Sequence, residues 1–322
     1  MIFRAKGLRV TIILIAVGLV LLTLGGEILV RGSVRTAEAF GVSPLLIGLT
    51  LVGFGTSTPE LVTSVMAAFR DAPGIAIGNV VGSNTANILL ILGVTAMMAP
   101  LAVRPKAFRR DAFVLAASTV ACVAAVMAGE LQRWMGFALI AGLGAYMVFA
   151  YLNERTNPAE AGGESPAPRQ PLRAVLPHVL LAVGGIVLTI FGARLLVDGA
   201  IVLAESLGVS DTVIGLTIVA VGTSLPELVA CVIAAWRGHS DVALGNVIGS
   251  NIYNTLGILG VTAAIRPVTV PPEVAAFDIW ILAAATALLL VFLRTRWRLE
   301  RWESGVLMVG YCSYIAYLVA GA

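Results

Sequence analysis

Two hexapeptides concentrate the oxygen chemistry of this 322-residue chain: GTSTPE at Gly55–Glu60 and GTSLPE at Gly222–Glu227. Each ends in a glutamate set within an apolar stretch, and each carries two hydroxyls, Thr56 and Ser57 or Thr223 and Ser224. The prolines before the acids, Pro59 and Pro226, lack an amide proton and clash with the carbonyl four residues back. They free the carbonyls of Gly55 and Gly222 inside what otherwise reads as helix. Hydroxyls, freed carbonyls and two carboxylates are all hard oxygen donors. About six to eight such oxygens suit Ca²⁺, and fewer serve Na⁺. Neither hexapeptide holds a histidine or cysteine, which argues against zinc or copper.

A second polar run follows each acid, GNVVGSNTAN at Gly78–Asn87 and GNVIGSNIYN at Gly245–Asn254. Asn79, Ser83 and Asn87 are spaced i, i+4, i+8 and share one helix face, as do Asn246, Ser250 and Asn254. Gly78 with Gly82, and Gly245 with Gly249, are small-xxx-small pairs that let helices approach closely. Ser83, Asn87, Ser250 and Asn254, one or two turns along beside the expected breaks, read as candidate ligands. Asn79, Asn84, Asn246 and Asn251 fit interhelical bonding as well as coordination. A purely structural reading of Glu60 and Glu227 is weak, because a charge at the bilayer centre costs about 3 kcal/mol even on lenient scales. No basic residue lies within the apolar segments around them. A cation or a proton is the natural partner.

The elements that position these residues are themselves duplicated. Gly48–Val94 matches Gly215–Val261 at 28 of 47 positions, at a constant offset of 167. The chain is 59% hydrophobic and 12% charged, half the roughly 25% charge of a soluble domain. Several apolar runs approach the roughly 20 residues that cross a bilayer as helix, and they are too long and too poor in alternation for barrel strands. The chain therefore reads as an integral membrane protein. A net charge of +3 gives no reason to expect nucleic acid. Cys122, Cys231 and Cys312 stand singly in apolar runs, suggesting neither a disulfide framework nor a metal site. His178 and His239 sit by expected helix ends. Arg4, Lys6 and Arg9 before an apolar run resemble a signal peptide. The run continues past residue 24, however, and Gly18, Gly25, Gly32 and Glu38 match Gly185, Gly192, Gly199 and Glu205 at the same offset. The first helix therefore belongs to the repeat and should be retained.

Ten spans are expected, at about 9–32, 44–70, 74–99, 107–128, 132–152, 176–204, 211–237, 241–265, 273–294 and 303–321. The repeat is thus five helices, residues 1–152 and 176–322, joined by a cytoplasmic linker at 153–175 rich in Pro, Gly and charge. Five is odd, so the second unit enters the membrane inverted, as in many secondary transporters. The expected fold is all-α, with ten transmembrane helices as two inverted five-helix repeats. Fourteen Lys and Arg fall in the loops of one side and six on the other. The richer side should be cytoplasmic, which leaves both termini outside. Glu27 with Arg31, and Arg194 with Asp198, are i,i+4 pairs that can each neutralise themselves on their own helix.

The paired GTSxPE and GNxxGSNxxN motifs resemble the cation/calcium exchanger superfamily, most closely its prokaryotic sodium/calcium exchangers. The ten-helix layout extends the resemblance to nearly the whole chain. It implies a Na⁺/Ca²⁺ antiporter with an outside N-terminus, in which Ca²⁺ is held by Glu60, Glu227 and the backbone carbonyls of Thr56 and Thr223. Flanking Na⁺ sites in the family use the serines that are here Ser57, Ser224, Ser83 and Ser250. They also use carbonyls three residues before the threonines, here Gly53 and Ala220. Some relatives carry an aspartate where this chain has Asn254, so the site here has two carboxylates and no third.

Function then reads as secondary active antiport by alternating access in the inner (plasma) membrane, with no catalysis and no cofactor, the transported Ca²⁺ and Na⁺ binding in the membrane core. A Ca²⁺/H⁺ exchanger is the alternative, and a cation channel a remote one. An intramembrane protease lacks any GxGD-like or Ser/His arrangement. The bilayer is the expected partner; no nucleic acid or protein partner is implied, and the chain is expected to be a monomer.

Overall fold

Apolar runs without alternation must satisfy their backbone internally, and this chain does so almost wholly as helix. The structure is a computed structural model and describes residues 2–103, 105–156, 171–206 and 220–321. The first half comprises α1 (Ile2–Phe40), α2 (Pro44–Thr56), α3 (Thr58–Phe69), α4 (Pro73–Met98), α5 (Pro105–Met127) and α6 (Arg133–Thr156). The second comprises α7 (Leu172–Ser206), α8 (Ala220–Thr223), α9 (Leu225–Trp236), α10 (Ser240–Ile265), α11 (Val274–Arg296) and α12 (Arg301–Gly321). Among the described residues, 8 helices are long and apolar enough to cross a membrane, and the bent pair α2–α3 makes up to 9. The expected span 211–237 lies partly outside the described residues, which show α8 and α9 of it. The expected span 44–70 is not one rod, since α2 and α3 meet at 46° across Ser57. That is the break Pro59 imposes.

Helices α1 and α7 overrun their expected spans, at 39 and 35 residues. At about 1.5 Å per residue both exceed a roughly 30 Å hydrocarbon core, so each crosses obliquely or protrudes. They pair antiparallel along a glycine seam: Gly18 faces Leu196, Gly25 faces Thr189 and Gly32 faces Ala182. The contact is backbone to backbone. A Cβ at Gly18 would lie 2.6 Å from the Leu196 nitrogen, and one at Gly192 would lie 2.5 Å from the Leu22 nitrogen. Outward, Ile12, Val20, Leu180 and Val187 are exposed, as lipid-facing residues should be. Glu27 on this surface pairs with Arg31 at 2.5 Å and also with Arg237, at the end of α9, at 2.6 Å. Arg194 and Asp198 depart from expectation, because both side chains are exposed and form no ion pair among the described residues.

The interior is built around α4 and α10, which are enclosed over most of their surface. Ile77, Ile88, Ile91, Ile248, Ile252 and Ile258 are fully buried there. α2 lies directly on α10, and a Cβ at Gly245 would come 2.5 Å from the Leu45 carbonyl. Two short ladders tie the halves together reciprocally. β1 (Leu101–Ala102) pairs with β4 (Arg298–Leu299), and β2 (Glu130–Leu131) pairs with β3 (Val268–Thr269), both antiparallel. Each is extended by one further bond, Val103 N to Trp297 O at 2.8 Å and Val270 N to Gly129 O at 2.9 Å. Left-handed residues recur at equivalent turns: Asp71 (φ 56) with Gly238 (φ 80), and Trp297 (φ 54) with Gly129 (φ 78). The backbone path is shared even where only one copy supplies the glycine that favours it.

Candidate functional site

The two helix breaks place both hexapeptides in the interior. Ser57 and Ser224 occupy the breaks with near-identical backbones, φ −81, ψ 10 and φ −92, ψ 5. Glu60 and Glu227 follow in the first turns of α3 and α9, each 1% exposed. A helix N-terminus offers partial positive charge to an anion there. It does not replace a counter-ion, and among the described residues neither carboxylate has an ion-pair partner.

The two copies touch through their polar groups. Ser57 Oγ donates to Glu227 Oε1 at 3.0 Å. Thr56 Oγ1 lies 3.2 Å from Asn246 Oδ1 and 3.0 Å from Val52 O. Ser250 Oγ donates to the Gly53 carbonyl at 3.2 Å, which also accepts from the Ser57 nitrogen at 3.1 Å. On the facing helices, Asn84 Nδ2 donates to Asn251 O at 3.3 Å and Thr255 Oγ1 at 3.0 Å, and Asn87 Nδ2 reaches Asn251 Oδ1 at 3.5 Å.

Several expected oxygens have no hydrogen-bond partner although buried: Glu60 Oε2, Glu227 Oε2, Asn87 Oδ1, Asn254 Oδ1 and Ser224 Oγ. Leaving a buried polar group unpaired costs about 1–3 kcal/mol, so such a concentration needs a physical reason. Two carboxylate oxygens and three neutral acceptors, with no cationic side chain paired to the acids among the described residues, make a donor set suited to a hard cation. No group of three or more His, Cys, Asp or Glu placed to hold a metal occurs among the described residues. The set is therefore two acids supported by neutral oxygens.

Not every expected residue is brought into this bonded group. Ser83, buried on α4, instead lines a cavity beside it, and Thr223, at the end of α8, also borders that cavity. Ala220 opens α8. Asn79 and Asn246 hold the glutamate backbones: their amides donate to Glu60 O at 3.0 Å and Glu227 O at 3.3 Å.

Two supporting residues escape sequence reasoning. Asn79 Nδ2 also bonds Ser64 Oγ at 2.8 Å, and Asn246 Nδ2 bonds Cys231 Sγ at 3.1 Å. Ser64 and Cys231 in turn donate to Ala76 O and Ala243 O at 3.2 and 3.5 Å. A hydroxyl and a thiol thus do the same job 167 positions apart, and that shared offset is the signal that finds them. The π-helical turns at Asn87–Ile91 and Tyr253–Leu259 likewise leave no mark in the sequence. Such turns cluster at functional sites, and these two carry Asn87 and Asn254.

The family model described as "Sodium/calcium exchanger protein" matches residues 10–152 and 177–320. The "Putative antiporter CaxA" of Alkalimonas amylolytica is 38% identical, covering 95% of this chain and 97% of its own. The "Sodium/calcium exchanger MaX1" of Methanosarcina acetivorans is 34% identical over 97% and 99%. Among solved structures, the sodium-calcium exchanger NCX_Mj soaked with 10 mM Na⁺ and zero Ca²⁺ superposes with a TM-score of 0.83 at 32% identity, covering 96% and 99%.

Proposed function

The chain belongs to the sodium/calcium exchanger protein family, and we propose that it is a secondary antiporter exchanging Na⁺ for Ca²⁺ through the interior site at the two helix breaks. The observation that carries this reading is the bond from Ser57 of one hexapeptide to Glu227 of the other, beside two unpaired carboxylate oxygens. In this proposal Ca²⁺ takes Glu60, Glu227 and the carbonyls of Thr56 and Thr223. Na⁺ takes Ser57, Ser224, Ser83 and Ser250 with the carbonyls of Gly53 and Ala220. Asn87 and Asn254 add neutral oxygens.

Two carboxylates carry two negative charges, which one Ca²⁺ neutralises. Several Na⁺ ions can occupy the same oxygens, but repulsion keeps the two species from binding together. Empty, the site carries bare charge, and moving that charge through a low-dielectric barrier is costly. Competition and this cost together make the exchange obligatory. Alternating access comes from α1 and α7 sliding over the core along their glycine seam. The protein acts as a monomer in the plasma membrane, as two inverted five-helix units with both termini outside.

In proteoliposomes, Glu60→Gln or Glu227→Gln should reduce Na⁺-gradient-driven Ca²⁺ uptake at least about a hundredfold, the effect of roughly 2.7 kcal/mol. Near-normal uptake in both variants would sink the assignment. A parallel arm with a pH gradient and no Na⁺ gradient separates Na⁺ from H⁺ coupling.

A further inference from the structure

The two halves treat one duplicated acid differently. Asp111 and Asp278 stand 167 positions apart. Asp111, on α5, is fully buried, accepts a bond from Tyr146 on α6 at 3.1 Å and pairs with Arg110 at 2.6 Å. Asp278, on the first turns of α11, keeps the tyrosine, with Tyr314 on α12 donating at 2.9 Å. At the position of Arg110, however, the second half has Phe277. No basic side chain pairs with Asp278 among the described residues, and residues 207–219 include no lysine or arginine. Glu273, on the same helix, adds to the negative charge.

Asp278 also faces the exchange site. With Tyr311 and Tyr314 it lines a cavity of about 270 Å³ whose other wall carries Asn79, Ser83 and Thr223. A liquid water occupies about 30 Å³, so the space holds a cation with part of its hydration shell. Asp278 is the one carboxylate among the cavity's lining residues, so a single monovalent cation balances the charge that the cavity itself presents. A divalent ion would keep a net charge there and give up more hydration, so the cavity suits Na⁺ better than Ca²⁺.

We propose that this cavity is an additional Na⁺ site, in which Asp278, oriented by Tyr314, holds a partly hydrated Na⁺ and passes it to Ser83 and Thr223. The proposal rests on the exchange reading given above. It makes the two halves functionally unequal, because Arg110 already neutralises the equivalent acid in the first.

The test is the Na⁺ dependence of ⁴⁵Ca²⁺ exchange in proteoliposomes. Asp278→Asn should raise the Na⁺ half-saturation about three- to tenfold while the Ca²⁺ half-saturation stays within about twofold, and Asp278→Glu should restore it. An unchanged Na⁺ half-saturation, or equal shifts for both ions, overturns the proposal. Should Asp278→Asn fail to fold, Tyr314→Phe must shift the Na⁺ half-saturation in the same direction, and its failure to do so overturns the proposal equally. If the wild type shows no Na⁺-driven exchange, the exchange reading falls instead. The cavity is then tested directly by ²³Na NMR on the Glu60→Gln, Glu227→Gln double variant. One Na⁺-binding event should persist there and vanish on adding Asp278→Asn; its survival overturns the site.

Discussion

Asn254 is 1% exposed, and neither end of its amide finds a partner among the described residues. A buried amide that bonds to nothing is expensive, which supports the proposal that Asn254 contributes to the ion site. Replacing it by an acid adds a third negative charge to a site whose two carboxylates one Ca²⁺ would balance under the proposed function. Asn254→Asp should therefore shift the Na⁺ half-saturation of exchange about tenfold and introduce a new pH dependence; superimposable Na⁺ and pH profiles would show the position to be neutral. The stripe to which Asn254 belongs is legible from its four-residue spacing. Ser64 and Cys231 are not, because one serine and one cysteine in an apolar run look like small residues filling a core. Their role appears only when each is seen accepting the amide of an equivalent asparagine, Asn79 or Asn246.

At the scale of the helix, the break between α2 and α3 was readable from Pro59, whereas the π-helical turns were not. An extra residue in one turn changes the hydrogen-bond ladder without any compositional trace. The lengths of α1 and α7 are hidden for a related reason: hydrophobicity falls where charges begin, whereas α1 continues through Arg35 and Glu38 to Phe40. The glycines at 18, 25 and 32 and at 185, 192 and 199 are visible as a repeat, and the structure adds that each set lies against the opposite helix. Gly25→Leu places a side chain where a Cβ already meets Thr189 Oγ1 at 2.5 Å. It should cut exchange at least about tenfold while Ca²⁺ still raises the thermal unfolding temperature of the core. Retained exchange would exclude sliding at this seam. Glu27 reaching Arg237 means that any such sliding must also break or swing an ion pair between α1 and the end of α9.

For the molecule as a whole, membrane residence, helical class and pairing of the copies were all readable, since they follow from composition and from one constant offset. Orientation follows from charge counting and is open to direct measurement: a cysteine placed within 157–170, in a cysteine-free background, should react with impermeant reagents from the cytoplasmic side only, and labelling from outside would reverse the assignment. What the sequence conceals is how the halves are fastened. The ladders β1–β4 and β2–β3 leave neither half with a partner of its own for its short strands. Leu101 waits for Leu299, 198 residues downstream by the numbering. At synthesis rates of about 5–20 residues per second, the first half spends roughly 10–40 seconds in the bilayer with its edge unmatched. Closure of this molecule is thus an event of late translation, and a chain truncated before residue 298 has no means of completing it.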